Sequence, residues 1–263
     1  MGDSYAILPA AQAAVARRAI AEESQKRAHV VVYLSGAHAY GFPSPDSDLD
    51  LKCVHIADTE ALLGLRAPVT TFDRAEIVDG VEIDYTSNEL GHVLAGILGG
   101  NGNFLERVLG STVLETSPLH DELGPLVTGC LSKRFHRHYR GFAASQKKAM
   151  EEKPTAKKAL YVLRTALTGT HLLRTGTLVT DLTQLMDAYG FGEARSLLEE
   201  KQKAERQVLA DDARHYWTRE LERAFAALDQ AEQASSLPDE PTSGDAVDAW
   251  LVGARRERLA ARS

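Results

Sequence analysis

The stretch Gly36-Ala37-His38-Ala39-Tyr40-Gly41-Phe42-Pro43-Ser44-Pro45-Asp46-Ser47-Asp48-Leu49-Asp50-Leu51 decides how the rest of the chain is read. An apolar, β-branched run, His29-Val-Val-Val-Tyr-Leu34, leads into it and has the length of a strand. Ser35 through Ser47 is dense in turn formers, with Gly36, Gly41, Pro43 and Pro45. Asp48-Leu-Asp-Leu-Lys-Cys-Val-His-Ile56 then begins with polar/apolar alternation, which predicts a second strand. Successive side chains of a strand face opposite ways, so Asp48 and Asp50 fall on one side. Two carboxylates on one strand face repel each other unless a cation lies between them. Hard divalent ions such as Mg²⁺ take oxygen ligands and commonly use a few carboxylates together with substrate phosphates. The loop glycine lets backbone N–H groups approach phosphate closely. Metal, polyphosphate and loop thus belong to one chemical expectation. The bland alternative makes Asp46 and Asp48 turn residues and Asp50 a solvent-facing strand residue.

Working outward, Ala10 to Arg27 reads as an amphipathic helix with Val15 and Ile20 toward a core. Asp58 caps a short helix through Leu65, and Val69–Phe72 and Glu76–Tyr85 read as strands, the latter turning at Asp79-Gly80. Asp84, flanked by Ile83 and Tyr85, is the best candidate for a third carboxylate, with Glu82 second. Ser87-Asn88 is expected to open a helix through about Leu98, and another is expected to start at Asn103. Asn101 and Asn103 are each read as a base contact or a helix cap. Beyond Pro118 strand signals are scarce. Helices are expected near 118–131, 132–150, 155–175, 180–189, 191–209 and 211–233, and after a polar linker from Asp245 to Ala261. This pattern predicts an α+β protein divided into a catalytic-type domain (1–117), a helical domain (118–234) and a linker with a terminal helix (235–263).

At 263 residues, 44% hydrophobic and 25% charged, the chain is ordinary for a globular protein and excludes collagen-like or fully disordered classes. Cys53 and Cys130 are too few for a disulfide scaffold and sit among apolar neighbours, as buried free thiols in a reducing compartment do. No apolar run approaches a bilayer span of roughly 20 residues, and the N-terminus lacks a secretory pattern. A cytoplasmic protein without membrane contact is expected. Net charge is -7, against a generic nucleic-acid coat. Yet between Leu131 and Thr175 eleven lysines and arginines face two glutamates, a local +9. That segment either faces a polyanion or forms a solvated helix surface.

The ordered combination at Gly36–Asp50 resembles the DNA polymerase β-like nucleotidyltransferase superfamily. More narrowly, it resembles predicted nucleotidyltransferases with the signature Gly-Ser-x-x-Tyr-Gly-x-x-x-Pro-x-Ser-Asp-x-Asp, which include members associated with RNA-repair ligases. The resemblance continues through Glu82-Ile-Asp-Tyr85 and Asn101-Gly-Asn-Phe-Leu-Glu106, and more faintly through Lys157–Arg164. It implies an N-terminal nucleotidyltransferase-type mixed sheet with flanking helices, its site at one edge, and a C-terminal helical domain. It also implies an NTP donor (ATP by default), a two-metal Mg²⁺ site with Mn²⁺ as the alternative ion, NMP transfer to an acceptor hydroxyl, and release of pyrophosphate. Asp48, Asp50 and Asp84 are then the catalytic metal ligands. Ser35, Gly36, Ala37, His38, Tyr40, Ser47, Lys157 and Arg164 are the nucleotide-binding candidates. Two departures stand out: Ala37 replaces the family serine, and Tyr161 stands where many relatives carry histidine.

Lys157, Tyr161, Arg164 and His171 lie near one face of a helix, where Lys157 and Arg164 either contact phosphate or sit on the surface. Lys133-Arg-Phe-His-Arg-His-Tyr-Arg140 interleaves cations with aromatics, either for RNA through segment 133–174 or as an amphipathic helix burying Phe135, Tyr139 and Phe142. Neither a G-x-S-x-G elbow, a Walker loop nor a Rossmann fingerprint occurs. The leading expectation is a metal-dependent nucleotidyltransferase acting on RNA, protein or a small molecule. A non-catalytic nucleotide- or RNA-binding module is the alternative, motivated by Ala37. The acceptor, the base preference and the oligomeric state are left open by the sequence.

Overall fold

The computed structural model describes residues 3–45, 47–66, 68–203 and 207–261. Asp46, in the loop quoted above, and residues 204–206, in the helix expected over 191–209, lie outside them. The strands are β1 (Ala28–Leu34), β2 (Leu49–Ile56), β3 (Thr71–Val78), β4 (Val81–Glu89) and β5 (Val113–Thr116). They form one sheet in the order β3-β4-β2-β1-β5. The β2–β4 pair is parallel and the other three pairs are antiparallel, so the sheet is mixed. The helices are α1 (Ala10–Ser24), α2 (Gly36–Ala39), α3 (Thr59–Leu63), α4 (Leu90–Leu98), α5 (Gly102–Leu109), α6 (Pro118–Thr128), α7 (Arg134–Glu152), α8 (Ala156–Thr175), α9 (Leu182–Leu185), α10 (Arg195–Lys203), α11 (Asp211–Gln233) and α12 (Gly244–Ala260). The protein is α+β. Among the described residues, no helix is long and apolar enough to cross a membrane.

Contacts group the chain into two compact units. A sheet unit comprises Met1–His38, Asp46–Cys130 and Pro241–Ser263, and a helical unit comprises Ala39–Pro45 and Leu131–Glu240. Chain order suggested cuts after 117 and 234. The contacts instead place α6 and α12 with the sheet, for a visible reason. In α12 the Trp250 indole donates to Glu122 on α6 at 2.9 Å, and Arg255 pairs with Glu89 at 3.0 Å.

In the sheet unit, α1 lays Val15, Ala16, Ala19 and Ile20 against Val32, Leu34, Leu49, Leu51, Cys53 and Ile83. Each such side chain, fully buried, contributes about 1.5–3 kcal/mol. Because Leu49, Leu51 and Cys53 face this core, the two-residue period sends Asp50 and Lys52 to the opposite face. The β3–β4 hairpin turns at Asp79 (φ 52°) and Gly80 (φ 80°), the left-handed pair that a two-residue type I′ turn needs. Cys53 and Cys130 are buried free thiols, and burial pushes the Cys53 thiol well above its ordinary range.

Four expectations require correction. The helix expected from Ser87-Asn88 starts at Leu90, because β4 runs on to Glu89. Ser87 and Asn88 stand in register with Cys53 and Val54 of β2, and the Glu89 carboxylate accepts from Gly91 N (2.7 Å) and His92 N (3.2 Å) to cap the helix. Asn101, rather than Asn103, caps α5 by accepting from Phe104 N. Strand β5 carried too few residues to signal itself. The acidic residues stand on inner strands β2 and β4, not at an edge of the sheet.

In the helical unit α7, α8 and α11 pack together, and α8 is buried along almost its whole length. Phe135 and Tyr139 of α7 are buried, whereas Phe142 is exposed.

Candidate active site

The site is built on one register. In the parallel β2–β4 ladder, Asp50 stands directly beside Asp84. Residues so paired project to the same face, so two carboxylates are brought side by side. Asp84 is 54% exposed and Asp50 25% exposed, while Asp48 is exposed at the entry to β2. Like charges this close call for a cation. Lys52, two residues along the same face, supplies one. Its Nζ lies 2.7 Å from Asp84 Oδ2 and 4.0 Å from Asp50 Oδ1, and also donates to the Asp84 carbonyl at 3.3 Å. Lys52 was missed in the sequence, although its place in the alternation Asp48, Asp50, Lys52 marks it.

The turn that precedes β2 is fixed to Asp50. Ser35 N donates to the Asp50 carbonyl at 2.8 Å, and Gly36 adopts φ +66°. A Cβ at Gly36 would overlap the Asp50 carboxylate, so only glycine meets both the backbone conformation and the close approach. Ala37 and His38 are buried in α2, and Ser35 is half-buried. At the far end of the loop Ser47 is buried, and its carbonyl accepts from Gln12 Nε2 of α1 at 2.9 Å. The sheet unit thus gathers Ser35, Gly36, Asp50 and Asp84, with Asp48 beside Ser47.

Tyr40, Lys157 and Arg164 belong to the helical unit. Arg164 is 1% exposed, and its guanidinium lies 3.6 Å over the ring of Tyr40. Tyr161 meets Tyr40 and Phe42 edge-on, at 5.7 and 5.5 Å between ring centroids. The Tyr40 carbonyl accepts from Leu182 N (3.0 Å) and the Ala39 carbonyl from Thr180 Oγ1 (3.2 Å). Lys201, 2% exposed, donates to the Phe42 carbonyl (3.0 Å) and to Ser44 Oγ (2.8 Å). Lys157 is half-buried in the first turn of α8. Beside Arg164, burial and then the guanidinium hold His138 down to about 4, neutral at ordinary pH. The basic segment meets acids from elsewhere in the chain: Lys133 pairs with Asp239, Arg134 with Glu240, His136 and Arg140 with Asp229, and Lys147 with Glu222.

The donor chemistry suits a hard divalent ion. Both side-by-side groups are carboxylates, and an ammonium already stands in as their shared cation. Among the described residues, no three acidic, histidine or cysteine side chains gather closely enough to cage a metal unaided.

A mixed sheet carrying paired acids beside a glycine turn agrees with the nucleotidyltransferase-type sheet that the sequence resemblance implies. A family model described as the RNA repair pathway DNA polymerase beta family (RlaP) matches residues 13–253, and the chain belongs to that family. Uncharacterized protein MJ0002 of Methanocaldococcus jannaschii is 28% identical over 223 residues, covering 81% of this chain and 88% of its own length. A solved nucleotidyltransferase-like protein from Exiguobacterium sibiricum aligns over 83% of this chain and 73% of its own, at 8% identity and a TM-score of 0.32.

Proposed function

We propose that the protein is a metal-dependent nucleotidyltransferase, moving an NMP from an NTP, ATP by default, to an acceptor hydroxyl with release of pyrophosphate. The observation that carries the reading is the Asp50–Asp84 register against the Gly36 turn. Asp48, Asp50 and Asp84 would hold Mg²⁺, or Mn²⁺ in its place. When bound, the ion supplies Lewis-acid charge at the reacting phosphate and lowers the cost of ionising the acceptor hydroxyl. Asp84, the more exposed of the pair, would receive that hydroxyl's proton. Backbone N–H groups at Gly36, Ala37 and His38 are the candidates to receive the polyphosphate, in a turn that packs against Asp50. Ser35 and Ser47 frame the turn. Lys157, in the helical unit, is kept as a phosphate-binding candidate from the sequence, while Arg164 acts by holding Tyr40. The words RNA repair pathway in the family description support RNA as the acceptor.

Asp48→Asn with Asp50→Asn tests the reading. Pyrophosphate release from labelled ATP, with RNA oligomers and protein lysate supplied as acceptors, should fall about a thousandfold or more while the thermal midpoint stays near wild type. Turnover retained by the folded double variant overturns it. The buried Ala37 favours the second reading, a nucleotide-binding module, because it lacks the hydroxyl of the family signature. Mg²⁺-dependent ATP binding by the wild type without release on any acceptor would select that module.

A further inference from the structure

At the other end of the sheet a cleft of about 510 Å³ opens. It lies where the α1–β1 turn, the end of β2, the start of β3 and α12 meet. Asp50 and Ile56 are six positions apart on β2, roughly 20 Å of strand, so the cleft is distinct from the carboxylates. Its described lining carries three cations, Lys26, Arg27 and Arg258, against one carboxylate, Asp58. Glu23, behind the lining, accepts from both Lys26 and Arg27, so one carboxylate answers two of these cations. Arg74, which also donates to it, pairs with Glu22 and Glu76 besides. Arg27, with only 10% of its side chain exposed, lies 4.2 Å over the Phe72 ring and donates to the Tyr85 hydroxyl at 3.0 Å. Its Nε and that of Arg258 are buried without a hydrogen-bond partner among the described residues. A buried guanidinium N–H left unmatched is costly and calls for an acceptor. His55, also lining the cleft, stays neutral, because burial and Arg27 hold it down to about 4. It therefore adds a polar edge without adding charge.

We propose that this cleft is a second binding site, for a small phosphate-bearing molecule of mononucleotide size, with Arg258, Arg27 and Lys26 as its anion contacts. The volume lies within the range of small-molecule sites. Cations converging from a turn and a separate helix suit a group with several oxygens, and guanidinium forks match phosphate best. Apolar Ile56 and Val69 leave room for the rest of the ligand.

The test uses the full chain with EDTA present, so that the carboxylate site is not loaded. AMP, inorganic phosphate and adenosine are titrated by calorimetry and by NMR. AMP should bind at millimolar concentration or tighter, and adenosine should bind at least tenfold more weakly. Inorganic phosphate matching AMP would show that the anion alone is read, and phosphate failing would show that the nucleoside is read as well; either supports the site. Signals from Phe72 and Arg258 should move, while those of Asp50 and Asp84 stay. Arg258→Gln should weaken AMP about tenfold, and Lys26→Ala, at a largely exposed side chain, serves if Arg258→Gln fails to fold. Asp48→Asn with Asp50→Asn should leave this binding unchanged. Affinity unaltered by whichever cation variant folds, loss of binding in the double aspartate variant, or no binding of AMP or phosphate overturns the proposal. It stands independently of the transferase reading.

Discussion

The two units hold their informative charges in opposite ways. In the sheet unit, Asp48, Asp50 and Asp84 are partly or fully open, and the cation that answers two of them, Lys52, shares their face. In the helical unit, Arg164 and Lys201 are 1–2% exposed and spend their donors or their π-facing surface on Tyr40, Phe42 and Ser44. An open carboxylate keeps its hydration and remains available to a ligand, whereas a buried cation is tolerated only when its surroundings answer it. The open carboxylates of the sheet are therefore the ones left available to a ligand, and the buried cations Arg164 and Lys201 hold residues 39–44. That division makes different substitutions fail in different ways.

The largest effect is expected where the sheet unit tolerates nothing. Gly36→Ala forces a side chain into left-handed backbone and against the Asp50 carboxylate. The left-handed conformation costs about 1–2 kcal/mol and crowding about 1–3 kcal/mol more, so chemical denaturation should show a loss of about 2–5 kcal/mol. Pyrophosphate release should fall further than the lost stability accounts for when assayed well below the new midpoint, because Asp50 itself is displaced. A variant as active as wild type would break the link between the turn and the acid.

Next comes the helical unit. Lys201→Met keeps most of the volume and removes the donor, leaving the Phe42 carbonyl and Ser44 Oγ without it in a buried setting. Losing a buried donor costs about 1–3 kcal/mol, so a loss of that size is expected in urea unfolding. Loss of less than about 1 kcal/mol would mean that water reaches these groups, and the contrast between the units would weaken.

These residues also mark how far the sequence could be read. The alternation Leu49, Leu51, Cys53 against Asp48, Asp50 exposed the two faces of β2, because a strand's period of two is visible in a handful of residues. Asp84 was legible on the same ground, between Ile83 and Tyr85. That β4 runs parallel to β2, and in the register that pairs residue 84 with residue 50, was not legible, since pairing is set by contacts distant in sequence. Lys201 gave no signal at all: it sits in Glu199-Glu200-Lys201, where a cation is ordinary. Arg164 was read as a choice between phosphate and surface, because a one-faced helix pattern cannot announce that α8 is buried on nearly every side. The +9 of segment 131–175 overstated its free charge for a related reason. Glu222, Asp229, Asp239 and Glu240, which answer several of its cations, lie well beyond it in the chain.

The smallest effect sharpens the comparison most. Lys52→Met removes an ion pair as short as the Lys201 contacts, 2.7 Å to Asp84, yet Asp84 is more than half exposed. Exposed pairs are worth about 0–1 kcal/mol, so without divalent ions the loss should stay under about 1 kcal/mol and shrink further in salt. Removing the ammonium also leaves Asp50 and Asp84 side by side without their shared cation. Added Mg²⁺ should then raise the thermal midpoint of Lys52→Met more than that of the wild type, because the ion no longer competes with Nζ for the same oxygens. An equal response in both proteins would mean that the ammonium and the ion do not share those carboxylates. A loss matching that of Lys201→Met would mean that the sheet's open charges are structural after all, and the chemical role assigned to this face would then have to be argued from Asp48 alone.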